Sequence, residues 1–168
     1  MKKGLLFTFF IAALCFGQAE QKYDPSIDAM SDIKSAISLA KKSNKHIFVK
    51  VGGNWCGWCK LYAKFAEANE EIMKVMNDNY VEVLVNWSME NKNPKAMAYL
   101  GYPQRFGFPV FVVLDKKGEI LHTQNSAFLE EGRGYNGIWK NIVYNCSIGL
   151  FFRAEDGIRD WGVTGVQT

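Results

Sequence analysis

The chain has 168 residues, 48% hydrophobic and 22% charged, the balance of a globular protein with room for one small domain. Its formal net charge of +3 comes from Lys and Arg scattered along the chain. With no basic run, there is no reason to invoke nucleic acid or an anionic surface as a partner, and the charges read as a solvated surface.

Lys2 and Lys3 precede an apolar run from Leu5 to Phe16, which is followed by the small residues Gly17 and Ala19. That is the pattern of a signal peptide over residues 1–19, with an apolar stretch too short to span a bilayer as an anchor. The expectation is a periplasmic or secreted protein with no stable membrane insertion after cleavage, in a compartment that permits disulfides. Cys15 raises the alternative of a lipoprotein, but Leu14 stands before it where lipoprotein signals take Gly, Ala or Ser.

A globular domain is expected over residues 20–147, opening with a polar linker from Glu20 to Pro25. Asp28 to Ser43 reads as an amphipathic helix, with Ile33, Ile37 and Ala40 at helical spacing and Lys41 and Lys42 in the last turn. His46 to Val51 is a short β-branched run with the mark of a buried strand, and Gly52-Gly53-Asn54 makes a turn. One long helix is expected from about Cys56, with Leu61, Phe65, Ala68, Ile72 and Met76 as its apolar stripe, broken by Asn77-Asp78-Asn79. Tyr80 to Asn86 alternates as a second strand, and a short helix from Lys95 to about Leu100 follows a polar connection. Val110 to Leu114 is a third strand. Asp115-Lys116-Lys117-Gly118 is a hairpin turn into a fourth, Glu119 to Thr123. A helix-like stretch to Tyr144 would close the domain. This order is that of an α/β protein around one sheet.

From Ile148 onward that patterning is lost. Ala154–Asp160 is what GCAGAAGACGGCATACGAGAT encodes, and Val163–Thr168 is what GTGACTGGAGTTCAGACG encodes. Those strings resemble the two halves of a common sequencing adapter, with Trp161-Gly162 in the place of the index between them. Residues 148–168 are therefore expected to be a non-native, disordered tail, against the plainer alternative of a natural polar one, and no function is read into them.

The chemistry concentrates in Asn54-Trp55-Cys56-Gly57-Trp58-Cys59-Lys60, where a turn meets a helix N-terminus. A thiol there faces unpaired backbone N–H groups and the positive end of the helix dipole, both of which favour thiolate. The C-x-x-C spacing sets the second sulfur one helical turn away, within disulfide reach. Cys56 is expected to be the exposed nucleophile and Cys59 the resolving thiol. A half zinc site, a purely structural disulfide and Cu(I) held by two thiolates are the competing readings. Zinc wants four ligands, whereas Cys146, His46 and His122 are the remaining candidates and both histidines lie in strand-like runs.

Together with Phe106-Gly107-Phe108-Pro109 and the strand after it, the stretch from His46 to Lys60 resembles the thioredoxin superfamily, in particular its secreted bacterial members, over about Asp28 to Tyr135. The resemblance implies a thioredoxin fold, a central mixed β-sheet flanked by helices, with Cys56 and Cys59 catalytic. It implies no organic cofactor beyond a redox-active Cys56–Cys59 disulfide and no metal. It also implies a cis peptide at Phe108–Pro109 facing the cysteines, the plainer reading being a trans, strand-initiating proline. Trp55, Gly57, Trp58, Phe108 and Pro109 would line the substrate site, with Trp55 either on its rim or packed under the motif. Partners would be protein or peptide thiols and disulfides, and an unidentified partner that recycles the pair. A peptide-binding or chaperone module with a structural disulfide is the alternative.

Two departures matter. Thioredoxin has Pro where this chain has Trp58, so the direction of electron flow does not carry over. Thioredoxin also has a buried Asp where this chain has Lys50, which either sits near the thiols or points outward.

Overall fold

A computed structural model describes residues 23–136. The expectations for residues 1–19 and 148–168, the closing helix and Cys146 lie outside the described residues.

The elements run α1 (Ala29–Ser43), β1 (His46–Gly52), α2 (Gly57–Glu67), α3 (Glu70–Asn79), β2 (Tyr80–Asn86), α4 (Pro94–Tyr99), β3 (Val110–Leu114), β4 (Ile120–Asn125), β5 (Glu130–Glu131) and β6 (Gly134–Tyr135). Two 3₁₀ turns, Pro103–Phe106 and Ser126–Leu129, complete the order. Four strands form one sheet in the order β2-β1-β3-β4. β1 pairs parallel with β2 and antiparallel with β3, and β3 pairs antiparallel with β4, so the sheet is mixed.

β1 and β3 are buried on both faces, which explains their nearly continuous apolar sequences. The period of two divides their side chains between two cores. Ile47, Val49 and Val51 join Val110, Val112 and Leu114 against Ala29, Ile33, Ala36 and Ala40 of α1 and Met97 of α4. Phe48, Phe111 and Val113 face the other way, onto Tyr62, Ile72, Met76 and Leu129. Phe48 and Phe111 stack at 5.4 Å, and Tyr62 lies 4.6 Å from Phe111.

The single helix expected after Cys56 is two. α2 ends at Ala68, and Asn69 caps α3 by accepting a hydrogen bond from the Ile72 N–H at 3.2 Å, with Glu70 and Glu71 in the first turn where the helix dipole favours them. Restarting the helix resets its phase. Tyr62, not Leu61, is therefore buried along with Cys59 in α2, and Leu61 is exposed. Ile72 and Met76 are buried as expected.

The turn after β3 closes through Asp115, whose Oδ1 accepts from the N–H groups of Lys117 at 2.7 Å and Glu119 at 2.9 Å. Gly118 there has φ 95°, open to glycine and strained for other residues. β4 begins and ends later than the sequence suggests because the pairing shifts register between Val113 and Leu114.

Replacing Asn69 with Ala removes the cap of α3 and should cost about 1 kcal/mol. Urea unfolding would read this as a lower midpoint with unchanged slope, and an unchanged midpoint would contradict the capping role.

Candidate active site

The central strand β1 delivers the chain to the site. It ends at Gly52, whose carbonyl accepts from the Trp87 N–H at 2.7 Å, tying the ends of β1 and β2 together. The next turn closes with the Cys56 N–H donating to the Gly53 carbonyl at 3.0 Å. Cys56 is then the N-cap of α2, its Sγ accepting from the Cys59 N–H at 3.1 Å. The backbone donor that would stabilise a Cys56 thiolate is thus already aimed at its sulfur.

Cys56 and Cys59 are joined by a disulfide. Contrary to the exposed nucleophile expected from sequence, Cys56 is only 4% exposed and Cys59 5%. They belong to a small apolar cluster with Tyr23, against which Trp58, Leu84 and Phe108 pack. Tyr23, Leu84 and Phe108 lie far from the motif in sequence, which is why the motif alone suggests an open thiol.

The Phe108–Pro109 peptide bond is cis. Pro109 is buried and leads directly into β3, while Phe108 is half-buried against the cysteines. Trp55 is 56% exposed. Its indole N–H donates to the Trp87 carbonyl at 2.9 Å, and its ring meets Phe108 edge-on at 5.3 Å. Trp87 lies 4.9 Å from Phe108. Trp55 therefore stands on the rim, held by its polar edge, rather than under the motif. On the other side Trp58 packs edge-on to Tyr135 at 5.7 Å, and the Tyr135 hydroxyl donates to the Trp58 carbonyl at 3.3 Å. Gly57 between the cysteines is exposed, with open space where a Cβ would stand.

Trp87, Tyr23 and Tyr135 are site residues that sequence reading missed. The adjacent glycines of the turn were the available signal. A Cβ on Gly52 would lie 2.6 Å from Cys59 Sγ and 2.9 Å from the Tyr23 hydroxyl oxygen. A Cβ on Gly53 would collide with the Trp55 indole and sit 3.1 Å from the Trp87 carbonyl. Each glycine makes space for another group's close approach, a role beyond that of a turn former.

Lys50 points inward. It is 5% exposed, shares the Phe48 face of β1, and donates from Nζ to Glu82 Oε2 of β2 at 2.6 Å, 6.0 Å from the Tyr62 ring centre. Burial drives the Tyr62 hydroxyl pKa well above its ordinary value, with the Glu82 charge adding to the rise. The loop over 101–107 packs on itself: Arg105 donates to the Gly101 carbonyl at 2.7 Å and lies 4.6 Å over the Phe106 ring.

A family profile described as Thioredoxin-like matches residues 28–116. Spermatogenesis-associated protein 20 of Rattus norvegicus is 42% identical over 53 residues, 32% of this chain and 7% of that protein. An uncharacterized protein of Archaeoglobus fulgidus is 26% identical over 90 residues, 54% of this chain and 66% of that protein. The chain thus spans less than a tenth of the first of these relatives and just under two thirds of the second. Among solved structures, a disulphide isomerase from Xylella fastidiosa Temecula1 superposes with a TM-score of 0.63 at 22% identity, covering 76% of this chain and 95% of that one. That likeness is one of fold.

Gly52→Ala should place a methyl group against both the Cys59 sulfur and the Tyr23 hydroxyl, costing the disulfide form about 1–3 kcal/mol by overpacking. The penalty should shrink on reduction, when the freed Cys59 side chain can rotate away. Urea unfolding with and without dithiothreitol measures both, and equal penalties would contradict the contact.

Proposed function

The chain belongs to the thioredoxin-like family, and we propose that it is an exported thiol–disulfide oxidoreductase that exchanges disulfides with protein thiols through Cys56 and Cys59. The observation that carries this reading is the disulfide itself, formed at the N-cap of α2 with a backbone N–H already directed at Cys56 Sγ and with Phe108–Pro109 beside it.

In the reducing direction, the Cys56 thiolate attacks one sulfur of a substrate disulfide. A Cys56–substrate bond forms, the substrate disulfide breaks, and the other substrate sulfur leaves as a thiolate. The Cys59 thiolate then attacks Cys56 Sγ, re-forming the internal disulfide and releasing the second substrate thiolate. The oxidising direction is the reverse. Reduction potential decides between them, and Trp58 is the residue between the cysteines best placed to influence it. No organic cofactor is needed for this chemistry, because the two electrons reside in the sulfur pair.

Trp55, Trp58 and Phe108 offer apolar faces around the sulfurs to an unfolded or extended substrate, Gly57 leaves the approach open, and Pro109 fixes the edge beside which the substrate would lie. The N-terminal pattern of Lys2, Lys3 and the apolar run supports a periplasmic or secreted setting, in which disulfides persist. Among the described residues no helix is long and apolar enough to cross a membrane. A second protein must recycle the pair after each turnover.

The burial of both sulfurs favours one rival: a peptide-binding module stapled by a structural disulfide. Potential and reactivity separate the two. Equilibration in glutathione buffers should give a potential above about −230 mV, and the protein should reduce insulin. Cys56→Ser should abolish insulin reduction, while Cys59→Ser should accumulate mixed disulfides with substrate, seen by mass spectrometry as adducts on Cys56. A potential below about −300 mV, with a slow thiol and no insulin reduction, would establish the stapled module instead.

A further inference from the structure

One buried neighbour of Cys59 comes from the segment before α1. Tyr23 is held against the turn before Cys56 by two opposed hydrogen bonds: its N–H donates to Asn54 Oδ1 at 2.9 Å, and Asn54 Nδ2 donates to its carbonyl at 2.7 Å. This clamp swings the ring inward, where it is buried with Cys56 and Cys59. The point in space that a Gly52 Cβ would occupy lies 2.9 Å from the Tyr23 hydroxyl oxygen and 2.6 Å from Cys59 Sγ. Oxygen and sulfur thus both border the one space that Gly52 leaves free of a side chain, within the same buried cluster.

In the disulfide, Cys59 Sγ carries no charge and asks little of its surroundings. In the dithiol state it must become a thiolate before it can close the disulfide, inside an apolar cluster that penalises charge. Resting on the oxidoreductase reading above, we propose that the Tyr23 hydroxyl donates a hydrogen bond to the Cys59 thiolate of the reduced protein and thereby sets the rate and pH dependence of the resolving step.

The groups around this pair are consistent with a donor role. Burial holds the Tyr23 hydroxyl pKa far above its ordinary value, with Tyr135 and Glu82 raising it further, so the phenol keeps its proton. From β1 the charged neighbour is Lys50, from β2 it is Glu82, and those two are bonded to each other at 2.6 Å. From α2 come Tyr62 and Cys56, and from β6 Tyr135. Tyr62 and Tyr135 are both phenols whose burial likewise keeps them neutral. During resolution the Cys59 thiol loses its proton to solvent, the thiolate attacks Cys56 Sγ, the Cys56–substrate bond breaks as the substrate leaves as a thiolate, and the Tyr23 O–H remains intact throughout. It acts by stabilising charge and transfers no proton.

The test uses the reduced full chain carrying Cys15→Ser and Cys146→Ser, so that Cys56 and Cys59 are its two thiols, and a small aromatic disulfide, dithio-bis-nitrobenzoate. Mixing releases one coloured thiolate as Cys56 attacks and a second as Cys59 closes the ring, so stopped-flow absorbance separates the two steps. Tyr23→Phe keeps the ring and removes the donor. The second release should slow about tenfold at neutral pH and its pH midpoint should rise by about one unit, the effect of one lost hydrogen bond to a charged group. The first release should stay within about twofold of the parent rate, because its nucleophile is served by the α2 backbone. An unchanged midpoint for the second release would overturn the proposal.

Should the Phe variant not fold, parent protein labelled with ¹³C at the hydroxyl-bearing ring carbon of tyrosine answers the same question. The Tyr23 resonance should move on reduction and titrate with Cys59, and a resonance indifferent to both would overturn the proposal. Failure of the oxidoreductase reading would look different: no insulin turnover, with the second-release profile intact, since that reagent is not a protein.

Discussion

The site depends on a missing side chain. Gly52 ends the central strand at the one place where the Cys59 sulfur and the Tyr23 hydroxyl both press toward the backbone, at 2.6 Å and 2.9 Å from where a Cβ would stand. With that space open, α2 can start immediately beyond β1 with its second cysteine seated over the strand, and the segment before α1 can reach across the motif. Gly53 does the same for the rim, where its bare Cα lets the Trp55 indole fold back to the Trp87 carbonyl. Two consecutive glycines thus fix the floor and one wall of the site, and the Trp87–Gly52 bond joins that floor to the neighbouring strand.

What was legible in the sequence was what local pattern dictates. His46–Val51 and Val110–Leu114 read as buried strands because nearly every side chain is apolar and both faces are covered. The turn at Asp115–Gly118 was legible because its Asx bonds and positive φ require those residue types. The cysteine pair was legible because its spacing and its place at a helix start belong together. Other features come from contacts distant in sequence. Asn69 is an unremarkable polar residue inside a plausible helical stripe until tertiary packing of Tyr62 makes a new helix start more favourable than continuing the old one. Tyr23 and Leu84 cover the sulfurs from positions that no motif connects to Cys56. Trp87 is simply the residue after a strand until the parallel register brings Asn86 opposite Gly52.

Lys50 shows how a family pattern can be kept in substance while its residues change. The thioredoxin resemblance places a buried carboxylate in this strand, and here a buried ammonium stands there instead. An isolated charge at that depth would be costly, so a partner is needed. It comes from β2, where Glu82 sits diagonally across the sheet on the same face and accepts from Lys50 Nζ at 2.6 Å. The carboxylate has moved one strand outward, toward solvent, and the cation has taken the inner position. This arrangement pairs the two charges on the Tyr62 face of the sheet, and the Glu82 charge contributes to keeping the Tyr23 phenol protonated.

The closed disulfide poses a further constraint, because exchange requires a substrate sulfur to approach Cys56 in line with the bond being broken, and Cys56 is 4% exposed. The three surrounding aromatic groups are not equally free to move aside. Trp55 is anchored by its indole N–H to the Trp87 carbonyl, and its ring is braced by Phe108 and Trp87. Phe108 is fixed at the start of β3 by the buried Pro109. The Trp58 ring is held by apolar contact, packing edge-on against Tyr135, a side chain of the two-residue strand β6. Tyr135 is in turn braced by the Tyr62 ring at 5.6 Å and the Phe65 ring at 5.8 Å, and its hydroxyl donates to the Trp58 carbonyl. Trp58 packs against both the cysteine cluster and Tyr135, so a change in its side chain alters the setting of the sulfurs and the hold on the β5–β6 hairpin together.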